Sequence, residues 1–262
     1  YNYWAINLGA AVAPLLAGFV AGYSYLILFA ADALTTLVFG LIVLFGIRET
    51  RPAEAHHAAH VSFNERMNQL KREPILLIFS LLALFFGIVY MQSYVALPLD
   101  MGAHGLGPEN YGAAIATNGF LIILVTIPIS NMAVKWHRFR TMAIAAAFAG
   151  VGFGFTALAD TLPLFMVSVA IWTVGEIAAT SVAPAIIADL SPVELRGIYQ
   201  GIFGSACGLA YFLGPLAGGW VYEHAGSDAL WLGCLALGII LAFCYLALGA
   251  PAKRRMEQTQ NT

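Results

Sequence analysis

The sequence predicts an all-α, polytopic membrane helix bundle with eight transmembrane helices. Three observations carry that prediction. The 262 residues are 60% hydrophobic, and the 26 glycines raise the apolar share to about 70%, where soluble domains hold about 45–50%. Eight apolar stretches are each long enough to cross a hydrocarbon core of about 30 Å, which takes about 20 residues of helix. All 12 Lys and Arg fall outside those stretches, in alternate connections. That alternation is what the retention of positive loops in the cytoplasm produces. With 14 Asp and Glu beside those 12 cations, the chain cannot cover a water-facing surface. A soluble enzyme, a nucleic-acid binder and a disordered chain are excluded on that ground, and a net charge of −2 points to no polyanionic partner.

Each span ends where a polar or turn-forming connection begins. The first, 3–22, is separated from the second, 25–47, by the uncharged Gly22–Ser24. A polar segment with Arg48, Arg51, Arg66, Lys71 and Arg72 then precedes the third span, 74–97. Pro98–Asn110 holds no base and leads to the fourth, 111–133. Lys135, Arg138 and Arg140 precede the fifth, 141–159; the base-free Asp160–Leu162 precedes the sixth, 163–188. Arg196 precedes the seventh, 198–222, the base-free Glu223–Ala229 the eighth, 230–249, and Lys253, Arg254 and Arg255 come after it. Both termini are therefore expected in the cytoplasm. Gly is frequent within the spans, and Pro14, Pro128, Pro184 and Pro215 lie inside them, as membrane bundles tolerate. Short alternating strands are absent, which argues against a membrane barrel. The three Cys (Cys207, Cys234, Cys244) lie in apolar runs, so neither a disulfide framework nor a metal knuckle is indicated. The chain opens on Tyr1 without a charged leader. No signal peptide is expected, and the start reads as incomplete.

An internal repeat sets the register. Gly9, Ala13, Pro14, Ala17 and Gly18 in the first span match Ala210, Gly214, Pro215, Gly218 and Gly219 in the seventh, with Pro14 and Pro215 201 residues apart. Both read small-xxx-small-Pro-xx-small-small. Six spans separate the copies, so the repeating unit is six helices and two units need twelve. The chain then holds the last two helices of one unit and all six of the next.

Ala210-x3-Gly214-Pro215-x2-Gly218-Gly219 resembles the GxxxGPxxGG motif of the major facilitator superfamily, with one Gly replaced by Ala. Further stretches are similar to multidrug-resistance members of the MdtH type: Asp32 to Thr36, Tyr90-x-Gln92 before Leu97-Pro98, Tyr111-Gly112 before Asn118-Gly119, Trp172-Thr173-x-Gly175-Glu176, and Ala188-Asp189-Leu190-Ser191-Pro192 leading to Arg196-Gly197. The resemblance implies the C-terminal two-thirds of a major-facilitator fold, and a drug:proton antiporter lacking its first four helices. The basic residues Lys135 to Arg140 sit where the family carries a second loop motif, but too little of it remains to assign a gating role.

The expected organisation is therefore 1–47 as the end of the N-terminal half-bundle, 48–73 as a cytoplasmic linker, 74–250 as a six-helix bundle and 251–262 as a disordered cytoplasmic tail. Ser62-x-x-Glu65 is a capping box, and Phe63, Met67 and Leu70 come after it at helical spacing, which suits a surface amphipathic helix. His56 and His60 would share a face of it with His57 nearby, but clustered His in a solvated linker are the ordinary reading, and no metal site is assigned.

Two acids lie within the spans, Glu176 and Asp32. Charge at membrane depth is costly, so such acids are candidates for function. Glu176 lies 13 residues past Pro163, about 20 Å along the axis. The resemblance puts its helix tenth of twelve, lining the central cavity. Three roles stay open: protonation coupled to transport, a counter-charge for a cationic substrate, or a pin between helices. Asp32, on a helix the resemblance makes peripheral, reads better as a fixed hydrogen bond. Trp172 is one turn before Glu176 on the same face. Tyr90, Gln92 and Asn118 complete the candidate substrate and proton pathway, and such rings and amides suit flat apolar cations. Trp4, Tyr94, Trp220 and Trp231 read as interfacial anchors. Gly9, Pro14, Gly18, Gly214, Pro215, Gly218 and Gly219 form the helix-packing motif, and Asp189, Arg196 and Gly197 a cytoplasmic loop motif.

The expected function is a secondary active exporter of small amphipathic molecules, driven by protons and needing no cofactor. An importer or uniporter of a nutrient, or an inactive fragment of either, is the alternative. The absence of a clustered nucleophile set and of a GxxxxGK[ST] loop argues against an enzyme and against ATP use. Expected partners are the bilayer of the cell (plasma or inner) membrane, a small-molecule substrate and the missing helices, in a monomer that binds no nucleic acid.

Overall fold

The computed structural model describes residues 24–46, 73–192 and 195–260, with Gly9 and Val20. The elements among the described residues are all helices, joined by short turns, with no strand among them. The chain divides into two compact units, Tyr1–Arg72 and Glu73–Thr262. In the first, α1 spans Tyr25–Gly46. Pro14, Gly18, Trp4, the capping box and His56, His57 and His60 lie outside the described residues, so the repeat and the linker helix are untouched by the structure.

In the second unit, α2 spans Pro74–Met91, α3 Ala96–Ala103, α4 Pro108–Lys135, α5 Arg138–Phe155, α6 Leu162–Leu190 and α7 Arg196–Gln260. Prolines open α2, α4 and α6, where the missing N–H would have had no helical partner. Five described helices with α7, which is long enough for two crossings, are apolar enough to span a membrane.

Three expectations change. The third span is not one continuous helix. It breaks over Gln92–Val95, where turn bonds such as Gln92 N–H to Val89 O (3.2 Å) and Ser93 N–H to Tyr90 O (3.1 Å) replace the helical ladder, before α3 resumes. The loop expected at Glu223–Ala229 shrinks to a kink in α7 at Gly226, whose φ of 85° and ψ of 171° lie outside helical space. Only glycine adopts that conformation readily. The tail is not disordered from Pro251 on; helix continues to Gln260. Its end is docked: Arg255 Nε donates to Glu73 Oε2 at 3.0 Å and Nη2 to Oε1 at 2.5 Å, and Ala252 is fully buried.

Glycine sets the helix spacing. A Cβ on Gly150 would lie 2.9 Å from Gly238 Cα on α7, and one on Gly175 2.5 Å from the Ala145 carbonyl on α5. Backbones so close need small residues, which is how helices associate without a hydrophobic drive between them. The core of this unit gathers Val89, Leu97, Met101, Phe153, Phe165, Trp172 and Trp231 around the broken segment of α2 and α3.

Candidate substrate and proton site

Glu176 sits in the middle of α6, and side chains from two other helices converge on it. Asn118 of α4 donates from Nδ2 to Glu176 Oε2 at 2.7 Å. Tyr90 of α2 donates its hydroxyl to Glu176 Oε1 at 3.0 Å. Asn118 Nδ2 also reaches Thr173 Oγ1 at 3.0 Å, and the Thr173 hydroxyl donates to Val169 O at 2.6 Å. Both carboxylate oxygens thus accept a donor, which offsets part of the cost of holding the acid away from water. Trp172 lies one turn earlier, 2% exposed. Its ring meets Tyr90 edge to face at 5.7 Å and stacks on Phe153 at 5.4 Å. Its Nε1 is buried without an acceptor among the described residues. Tyr94 packs edge to face on Tyr90 at 5.9 Å. Four of the six candidate pathway residues, Tyr90, Asn118, Trp172 and Glu176, thereby form one cluster on three helices.

Gln92 does not join them. It lies two residues beyond Tyr90, past the end of α2, and points into the packing with α7. Its Nε2 donates to Ile88 O at 2.8 Å and to Gly214 O at 2.9 Å. A Cβ on Gly218 would collide with the Gln92 amide, one on Gly214 would lie 2.6 Å from Met91 Cβ, and one on Gly87 2.6 Å from Ala210 Cβ. The face Ala210, Gly214, Gly218 is therefore the seat of α2 within this unit. Gly219 meets nothing. Asp32 lies on α1, in the first unit, where Thr35 donates to its backbone carbonyl at 2.9 Å. Gly9 is helical, and a Cβ there would meet nothing within 4 Å.

Asp189, at the end of α6, pairs with Arg138 Nη1, which also donates to Ala185 O at 2.8 Å. Arg138 opens α5, so the pair ties the start of one helix to the end of the next. Arg196 and Gly197 are at the start of α7, outside that pair.

Sequence reasoning misses Thr173 and Asp100. Thr173 stands between Trp172 and Glu176, inside a motif the sequence already marks. Asp100 falls in a stretch that reads as an external loop, but it lies in α3, 2% exposed, and accepts from Trp231 Nε1 at 2.8 Å. Trp231 is accordingly no surface anchor; it is fully buried, whereas Trp220 and Tyr94 are exposed. Among the described residues, no three His, Cys, Asp or Glu side chains gather as a metal site would need.

The break between α2 and α3 lies close to the half-buried Glu176 in this helical bundle, and comparison decides the family. The sequence profile of the Major Facilitator Superfamily matches residues 93–261. The chain belongs to the major facilitator superfamily. It is 30% identical over 240 residues to the MFS-type transporter YttB of Bacillus subtilis (strain 168), covering 91% of this chain and 60% of that protein. It is 22% identical to a Na(+), Li(+), K(+)/H(+) antiporter of Planococcus maritimus, over 90% of this chain and 63% of that one. It is 28% identical over 144 residues to Multidrug resistance protein 3 of Bacillus subtilis (strain 168), over 53% and 28% respectively. The chain thus spans about three-fifths of the length of the relatives it matches along most of its own length. With its apolar helices, membership makes it a multi-pass membrane protein of a transporter family rather than an enzyme.

Proposed function

We propose that this chain forms part of a secondary active carrier that exports small amphipathic or drug-like molecules in exchange for protons, by alternating access, with both termini in the cytoplasm. The observation that carries the reading is the Glu176 carboxylate held by Tyr90 and Asn118 with Trp172 beside it. Ionised, the carboxylate attracts a cation, and the neighbouring rings stack on an apolar one. When a proton binds, the negative charge is neutralised and the cation loses its counter-charge, so the two ligands compete for one group. That competition is the minimum an antiporter needs. The names of two relatives, one a proton antiporter and one a multidrug resistance protein, support proton exchange and a drug-like cargo respectively.

The test is ethidium accumulation by everted vesicles, which corresponds to efflux from the cell, prepared from cells producing the protein from its full reading frame. Ethidium movement that collapses with the proton gradient, and is lost in Glu176→Gln, is the expected result. Ethidium movement indifferent to the gradient would remove proton coupling. Gradient-dependent exchange of Na+ or K+ in place of ethidium would replace the cargo and keep the acid.

A further inference from the structure

A second acid is wired to the first by a column of rings. Asp100 and Glu176 are on different helices, α3 and α6. Asp100 Oδ2 accepts from Trp231 Nε1 at 2.8 Å, in a fully buried setting. Trp231 stacks on Phe153 with centroids 6.3 Å apart and planes 11° from parallel. Phe153 stacks on Trp172 at 5.4 Å and 7°. Trp172 meets Tyr90 edge to face at 5.7 Å and 83°, and the Tyr90 hydroxyl donates to Glu176 Oε1 at 3.0 Å. Trp231, Phe153 and Trp172 are each 2% exposed or less and belong to one packed cluster. Close-packed interiors transmit displacement rather than absorb it. Other titratable groups near Asp100 are His104, whose Nδ1 lies 3.9 Å from Oδ1, Asp228 and Tyr222.

We infer that Asp100 is a positioning residue for the Glu176 site. Its hydrogen bond sets the angle of the Trp231 indole, the stacked rings carry that angle to Trp172, and Trp172 fixes where the Tyr90 hydroxyl meets Glu176. The inference rests on Glu176 as the working acid, but it concerns the surroundings of that carboxyl and can be read without transport.

The experiment is infrared difference spectroscopy of the protein in lipid nanodiscs as pH is varied. The Glu176 carboxyl band is assigned by its loss in Glu176→Gln. Asp100→Ala removes the acceptor and should move the band and shift its midpoint by about half a pH unit or more. Trp231→Phe keeps an aromatic ring and the Asp100 carboxyl but removes the N–H, and should shift it likewise. Asp100→Asn removes the charge but keeps an acceptor, and should leave the band at its wild-type position. Wild-type spectra in folded Asp100→Ala and Trp231→Phe would overturn the inference. An Asp100→Asn shift as large as that of Asp100→Ala would also overturn it, because charge alone would then be the cause. Should the first two variants not fold, Phe153→Leu interrupts the column between the two tryptophans and decides the matter by the same band. Absent ethidium efflux from wild type would count against the proposed function alone.

Discussion

Tyr90 and Glu176 stand 86 positions apart and share a hydrogen bond of 3.0 Å. That bond joins the end of α2, just before its break, to the middle of α6. The same tyrosine carries the Trp172 and Tyr94 ring contacts. Tyr90 is thus the point where the aromatic core of this unit meets its acid.

The first prediction concerns the two donors on that carboxylate. A hydrogen bond to a charged group is worth about 1.5–3 kcal/mol. Tyr90→Phe should therefore weaken gradient-driven ethidium efflux by about tenfold while keeping the fold, since the ring contact survives. Asn118→Leu, which loses the shorter bond of 2.7 Å, should cost at least as much. Efflux at the wild-type rate in both variants would show that Glu176 works without them or does not work at all.

Gly218 is predicted to be intolerant of any side chain for a reason that can be relieved. Its absent Cβ leaves room for the Gln92 amide, which bonds Gly214 O at 2.9 Å. Gly218→Ala should displace that amide and destabilise the detergent-solubilised protein by about 1–3 kcal/mol, the usual cost of overpacking. Adding Gln92→Ala should recover part of the loss, so the two changes will be non-additive in thermal unfolding. Strict additivity would mean that the amide and the glycine do not meet.

Gly152 offers no such relief. A Cβ there would run into the backbone of Trp172, N and Cα included, with the Trp172 Cβ at 2.7 Å. Backbone cannot rotate away as an amide can. Gly152→Ala should therefore push α5 from α6, lower the unfolding temperature more than Gly218→Ala, and change the near-ultraviolet circular dichroism of the stacked Trp172 and Phe153 rings. An unchanged aromatic spectrum would count against the packing described.

The end of α7 gives a prediction about order. Arg255 binds Glu73 through two nitrogens, with side chains 25% and 19% exposed. Partly exposed pairs of this kind contribute about 1 kcal/mol at most. Arg255→Gln should leave the bundle intact but speed amide hydrogen exchange in residues 252–260, and high salt should do the same to wild type. Exchange that stays slow would assign the docking to Ala252 and its apolar neighbours.

How much can be read from the chain alone depends on the range of the interaction. Glu176 announces itself because an ionised group inside an apolar run is costly wherever the run folds. Trp172 is legible from the helical period, since positions four apart share a face. The spans are legible for a related reason: hydrocarbon thickness sets helix length before any helix meets another. Asp100 is not legible, because it stands just beyond a proline, among residues that read as a loop. Only the arrival of Trp231, 131 positions later, makes it an interior group. Gln92 reads as a cavity amide until the carbonyl of Gly214 claims it.

The sequence by itself determined that this polypeptide is a bundle of apolar helices, and it marked the acid that is most costly to hold inside one. Those are properties of segments in a slab of hydrocarbon, and composition decides them. The tertiary structure alone decided that α2 ends at Met91 and α3 resumes at Ala96, that Tyr90, Asn118 and Glu176 converge, and that a stack of rings leads from Asp100 to that convergence. Those are meetings of residues tens of positions apart, and they depend on how closely glycine lets the backbones approach, a spacing that no local pattern specifies.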